Sequence, residues 1–219
     1  RVLSSAEILA IYNQHLTYAQ SCDITDIGRD TIVVSSPTAC DSIQNVVTSL
    51  QSPVSSQDLV AYYNFSGNAN DMSGWSHHGL VLGANLTNDR FGNPFGAYSF
   101  DGMNDRIDIS VPLSGYNDFS IHSWIKPTEI NPAVTDFQTI ISNYNESFEF
   151  GFFTADKKIS LYDNGIQIAA SNSINANELA FVSLVKQGSE LRIYKNGVLL
   201  SQNSNGNNLT IKEKKNIGI

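Results

Sequence analysis

From Asp58 onward the chain never holds one hydrophobic period for long. Short stretches of alternating apolar and polar residues are separated by turns of Gly, Asn and Asp. They are LVAYYNF (59–65), GLVLGA (79–84), AYSF (97–100), DRIDISV (105–111), FSIHSWIKP (119–127), TIISNY (139–144), FEFGFF (148–153), KISLYD (158–163), IQIAAS (166–171), FVSLVK (181–186), LRIYKN (191–196) and VLLSQ (198–202). A period of two places successive side chains on opposite faces, as a half-buried strand requires. Many short strands with turn residues between them, and no sustained helical period, give an all-β sandwich of two antiparallel sheets as the expected fold class.

Two hairpins carry their turn chemistry openly. KISLYDNGIQIAA (158–170) and ELRIYKNGVLLSQ (190–202) each run a Tyr-bearing strand into Asn-Gly and out into an aliphatic strand. Asn164-Gly165 and Asn196-Gly197 are the dipeptides that tolerate positive φ at both centres of a type I′ turn. The shared design is turn chemistry used twice, not a duplicated domain.

The segment before Asp58 differs. LSSAEILAIYNQ (3–14) is the clear helix signal. Ser4 or Ser5 can cap it, Glu7 stands three residues after Ser4 as a capping box requires, and Ile8, Ile11 and Tyr12 share a face. Residues 16–57 turn polar around two β-branched runs, TIVVSS (31–36) and IQNVVTSL (43–50), and end in a Ser/Gln/Pro stretch that reads as a linker. Cys22 and Cys40, 18 positions apart and without a C-x-x-C pair or nearby histidine, fit a disulfide in a secreted protein better than a zinc site. Two buried thiols are the other reading.

Charge narrows the partners. The net charge of −8 is spread along the 219 residues, a surface that repels phosphate backbones and anionic lipid, so nucleic acid and the membrane surface are not expected partners. No stretch approaches the roughly 20 apolar residues of a spanning helix, so membrane insertion is not expected either. Low charge with much Ser, Asn and Thr suits an extracellular domain.

The order of motifs from Leu59 on, an aromatic strand, then N-x-x-D-x-S-G (68–74), H-G (78–79), F-D-G-x-x-D (100–105), F-S-I-x-x-W (119–124) and Y-x-N-G (194–197), resembles the laminin G-like, pentraxin-like branch of the concanavalin A-like lectin/glucanase jelly rolls. The resemblance implies a concanavalin A-like jelly-roll β-sandwich over 58–219, preceded by a short helix and a small β connector over 16–57. Such domains typically end in a segment similar to RVLSSAEILAIY, with which this chain begins. Residues 1–15 therefore resemble the tail of a preceding laminin G-like domain, with the last strands of the present one missing. The alternative is that residues 1–15 close this sandwich themselves, as in a circular permutation.

Catalysis is not expected. The glucanases of this fold carry E-x-D-x-x-E on one strand, so that alternate carboxylates face one cleft. No E-x-D occurs here, Glu146 and Glu149 fall on opposite faces of a strand, and there is no G-x-S-x-G nucleophile motif. Binding chemistry is better represented. Calcium needs several oxygen ligands from turn loops, and Asn70 and Asp71, with Asp101, Asn104 and Asp105, are the richest oxygen clusters. The alternative is that Asp71 and Asp101 only make Asx-turns. A pentraxin-like calcium site would instead draw on Asn143, Asn145 and Glu146.

His77 and His78 are adjacent and point opposite ways on an extended chain, so His78 is expected to hydrogen-bond rather than to bind metal. A sugar needs an aromatic platform with hydrogen-bonding groups close by. Trp75 in its loop is the candidate platform, with Tyr116 and Tyr144 in other loops, and His78, Asn143 and Glu146 as polar partners. Trp124, inside an alternating strand, is expected in the core. Four N-x-[ST] sequons begin at Asn64, Asn85, Asn145 and Asn208.

The expected function is a non-catalytic carbohydrate-binding or adhesion module of a secreted or cell-surface protein. Its partners would be a glycan or cell-surface protein and neighbouring domains of the same chain, with calcium as cofactor. The alternatives are a structural spacer or protein-binding repeat in a large adhesin, and an accessory domain beside an enzyme.

Overall fold

The computed structural model describes residues 2–17, 24–26, 32–34, 59–113, 116–128, 137–143, 148–153, 157–163, 166–204, 206 and 217–218. One helix, α1 (Ser5–Thr17), precedes the strands β1 (Ile24–Asp26), β2 (Ile32–Val34), β3 (Leu80–Leu82), β4 (Asn85–Thr87), β5 (Ala97–Ser99), β6 (Arg106–Ile109), β7 (Phe119–Ile125), β8 (Phe137–Ser142), β9 (Glu149–Phe153), β10 (Lys158–Asp163), β11 (Ile166–Ser173), β12 (Ala180–Gln187), β13 (Glu190–Lys195), β14 (Val198–Asn203) and β15 (Ile217–Gly218). This helix is not apolar or long enough to cross a membrane.

The strands form a sandwich. One sheet of seven strands has the order β11-β10-β9-β8-β15-β6-β3, and the other, of four, has the order β14-β13-β12-β7. All their pairings are antiparallel. The core fills the space between them. Ile107, Phe150, Ile159 and Leu161 come from the seven-stranded sheet, and Val182, Leu184, Leu191 and Ile193 face them from the other. All eight are fully buried, each contributing about 1.5–3 kcal/mol of hydrophobic stabilisation. Between β3 and β6 a small ribbon pairs β4 with β5, and β1 pairs with β2 near the N-terminus.

Local signals act as the chain chemistry dictates. Ser4 and Glu7 form a reciprocal capping box, which fixes the start of α1. Ser4 N donates to Glu7 Oε2 (2.8 Å) and Glu7 N to Ser4 Oγ (3.3 Å). Asn196 (φ 51°) and Gly197 (φ 78°) make the expected turn between Lys195 and its partner Val198. Asn164-Gly165, the Cys22–Cys40 pair and the run 43–50 lie outside the described residues, although Asp163 pairs with Ile166 around the former turn.

Two expectations need correction. LVAYYNF joins no sheet among the described residues: its backbone bonds run to the Asp71 carboxylate, Met72 N and Ser73 Oγ, and Phe65 turns to a φ of 56°. Trp124 is not in the sandwich core. On β7 the residues Phe119, Ile121 and Ile125 face the core, so His122 and Trp124 project from the other side. There α1 packs on this outer face: Leu3, Ile8, Ile11 and Tyr12 meet Phe181, Val185, Tyr194 and Trp124 in a second, smaller cluster, and the His122 ring lies against Phe181. Ser5 Oγ and Tyr194 Oη share a hydrogen bond of 2.9 Å.

The β8–β9 contact gives a first test. Gly151 stands opposite Thr139 beside a register shift, and a Cβ there would lie 2.0 Å from the Gln138 carbonyl oxygen. The Gln138 backbone has little room to yield, and the Phe137 ring crowds the same position at 2.9 Å. Gly151→Ala is expected to destabilise by about 3 kcal/mol, lowering the midpoint of thermal unfolding by about 10 °C.

Candidate functional site

Residues 59–79 build one loop around a buried carboxylate. Tyr63 and Phe65 face inward and stack (5.9 Å between rings), and Phe65 meets Tyr98 edge-on at 5.4 Å. The chain then turns back, so that Met72 N donates to Tyr62 O (2.8 Å) and Gly79 N to Ala69 O (2.8 Å). Gly79 packs closely: an added Cβ would lie 2.6 Å from Ile107 Cγ2.

Asp71 sits inside this return, 6% exposed. Its Oδ1 accepts from Tyr62 N (2.9 Å) and Ser73 N (2.9 Å), and its Oδ2 from Ser73 Oγ (2.7 Å) and His77 N (3.0 Å). A carboxylate has about four lone-pair positions, so all are taken. Burial pushes its pKa up, but these four bonds outweigh burial and hold it below the usual carboxylate value. Tyr63, which donates to His77 O, is pushed the other way, first by burial and then by the Asp71 charge.

The pinned loop presents Trp75. Gly74 (φ 97°) and Ser76 (φ 61°) flank it in left-handed conformations. Ser76 carries that geometry without glycine's freedom. Trp75 N donates to Ser73 Oγ at 3.3 Å. The indole is left 63% exposed, with Met72 and Tyr62 also exposed on the same loop. His78 Nδ1 accepts from Asp71 N (3.1 Å), which places the imidazole proton on Nε2; the side chain is exposed, so this N–H is a donor available to a ligand. His77 instead gives its backbone N–H to Asp71, and the two histidines share no task.

The other predicted residues are dispersed. Asn70 is exposed, its N–H bonded to Asn68 Oδ1. Asp101 Oδ1 accepts from the N–H groups of Met103, Asn104 and Asp105, while Asp101 N donates to Asp105 Oδ2, the arrangement of an Asx-turn. The Met103 N–H first, with the other two, holds the Asp101 carboxyl below its usual value. Among the described residues no three His, Cys, Asp or Glu side chains converge as metal ligands. Tyr116 is exposed, apart in sequence from the Trp75 loop. Asn143 is 2% exposed and exchanges hydrogen bonds with Phe148 (N to O, and Oδ1 from N, each 3.1 Å), so it ties the base of a loop rather than facing solvent. Tyr144, Asn145 and Glu146 lie outside the described residues.

Sequence reasoning missed Asp89 and Arg90. Asp89 accepts from Phe91 N, Asn93 N and Asn93 Nδ2. The Arg90 guanidinium lies over Phe91 (4.3 Å) and Trp124 (4.8 Å). The available signal was N-D-x-x-G-N, an Asp with a downstream Gly that marks a tight loop.

A family model described as the concanavalin A-like lectin/glucanases superfamily matches residues 101–219. No curated protein matches the sequence. Among solved structures the chain is similar to domain 4 of AbnA, a GH43 extracellular arabinanase from Geobacillus stearothermophilus, in complex with arabinotriose (TM-score 0.59, 14% identity, covering 74% of this chain and 82% of that one). It is also similar to the binding domain of botulinum neurotoxin DC in complex with SialylT (TM-score 0.53, 20% identity, 75% and 44%) and to the botulinum neurotoxin serotype C1 binding domain (TM-score 0.54, 18% identity, 75% and 43%). The chain spans less than half the length of those two toxin domains.

Proposed function

The chain belongs to the concanavalin A-like lectin/glucanase superfamily, and from that premise we propose that it is a non-catalytic glycan-binding module of a secreted or cell-surface protein. One observation carries this reading: Trp75 stands 63% exposed on a loop whose backbone a buried Asp71 pins from both ends. A free loop would fold an indole down onto apolar surface. Here two left-handed residues and four hydrogen bonds hold it out, with the His78 Nε2–H nearby on the same loop. An aromatic face for the C–H side of a pyranose and a fixed donor for a hydroxyl are the minimum of a sugar subsite. The arabinotriose and SialylT complexes of structures with this fold are consistent with that chemistry, as is the absence of an E-x-D pair from the sequence.

We place no calcium at Asp71, because donors fill its acceptor positions. Any calcium dependence is assigned to the Asp101–Asp105 turn, where the bonds to Asp101 converge on Oδ1 alone. A glycan array run with calcium and with chelator tests both statements. Binding is expected in each condition, because the Trp75 loop is held by hydrogen bonds. Loss of binding in chelator would move the ion into the site, and no binding in either condition would leave the spacer role.

A further inference from the structure

The outer face of the four-stranded sheet holds an assembly that sugar binding at Trp75 does not use. Tyr12 of α1 stacks on Trp124 (5.8 Å) and on Phe181 (6.3 Å). Arg90 reaches over Trp124 from its loop, and the His122 ring lies parallel to Phe181 (5.8 Å, 7°). His122 Nδ1 shares a hydrogen bond with Ser183 Oγ (2.9 Å), while its Nε2 is buried without a hydrogen-bond partner among the described residues.

The groups disposed about this imidazole favour its neutral form. From the sheet come Ser183 and, opposite it on β13, the Tyr194 hydroxyl; Tyr12 of α1 stacks on the Phe181 ring that His122 faces, and the cation Arg90, with Asp89 beside it, lies over Trp124. Arg192, further along β13, is held by Glu190 (3.0 Å) and Gln187. Asp89 is engaged by Phe91 and Asn93, and Glu190 by Arg192, so neither is bonded to the ring. Protonation would put an N–H on both ring nitrogens and leave the added charge on a buried ring whose Nε2 has no acceptor among the described residues.

We propose that His122 makes the docking of α1 acid-labile: protonating its imidazole loosens the aromatic stack through Phe181 and releases α1 from the outer sheet face while the sandwich stays folded. The two halves of this statement rest on different packing. His122, Phe181, Trp124 and Tyr12 lie outside the main core, whose residues face the other way. Helix α1 has 13 residues. A helix that short is marginal alone in water, so once undocked it also unravels.

Burial alone pushes the His122 pKa down to about 4. A depressed histidine pKa means that docking is fully supported above the ordinary value of roughly 6.5 and weakens as pH falls from there towards about 4. With an ordinary value in the released state, the docking constant drops about 30-fold between about pH 7.5 and pH 5.

Hydrogen exchange across this pH range, corrected for intrinsic rates, reads the effect in the wild-type chain. Protection of α1 is expected to fall about 30-fold by about pH 5 while that of β12 is retained. In a Trp75→Phe background, emission from Trp124 should shift to the red over the same range. His122→Phe keeps a ring on Phe181 and removes the titration, so α1 should stay protected in the same acid. Equal loss of protection in α1 and β12 would overturn the proposal without any variant, and so would a His122→Phe chain that releases α1 at the wild-type pH.

Discussion

Asp71→Ala is expected to destabilise the protein by about 4 kcal/mol. The carboxylate accepts from Tyr62 N, Ser73 N, Ser73 Oγ and His77 N in a site 6% exposed; alanine leaves the three backbone N–H groups without this acceptor, while the Ser73 hydroxyl can turn to Val60 O (3.2 Å). Asp71→Asn should recover less than half of this, since one of its two positions becomes an NH₂ facing donors. Urea unfolding of the three proteins checks the order wild type, Asn, Ala.

The same residue sets an acid limit. Because its folded pKa lies below the unfolded value, Asp71 contributes stability that is present above about pH 4 and is lost as pH falls through the depressed value. His122 acts higher, between about 6.5 and about 4. Acid should therefore act in two steps, the outer face first and the Asp71 loop second. Asp71→Ala removes the second step without moving the first.

How far the sequence predicts this arrangement depends on what each pattern reports. The Ser4–Glu7 spacing and Asn196-Gly197 describe bonds that close within a few residues, so each was readable and each formed. Alternation in LVAYYNF reported correctly that Tyr63 and Phe65 face inward and Tyr62 outward, but alternation is silent about backbone partners. Those turned out to be Asp71, Met72 and Ser73. In FSIHSWIKP the pattern could not say which face was the core, because α1 covers the far side of β7 and both faces carry aromatic or aliphatic residues. Asn143 illustrates a different limit. A polar residue at a loop edge suits a ligand contact and a loop-closing bond equally in sequence, and only its burial against Phe148 separates them.

Trp75→Ala should weaken glycan binding about 30-fold, the roughly 2 kcal/mol of a buried aromatic anchor, while changing stability by less than about 0.5 kcal/mol. The two effects separate because the indole is 63% exposed in the free protein and its loop is held by backbone and Asp71 bonds that alanine leaves intact. Trp75→Phe keeps part of the stacking face and should lose less. His78→Ala removes the Nε2–H donor and also the acceptor for Asp71 N, so it should weaken binding about 10-fold with a measurable loss of stability. Gly74→Ala keeps both side chains but strains a φ of 97°, and should weaken binding by displacing the indole. Titration calorimetry against the best array hit, paired with thermal melts of each variant, gives both axes. Wild-type affinity in Trp75→Ala would place the sugar elsewhere, with Tyr116 the next exposed ring to replace; loss of affinity only in variants that also melt early would reduce the loop to a structural element.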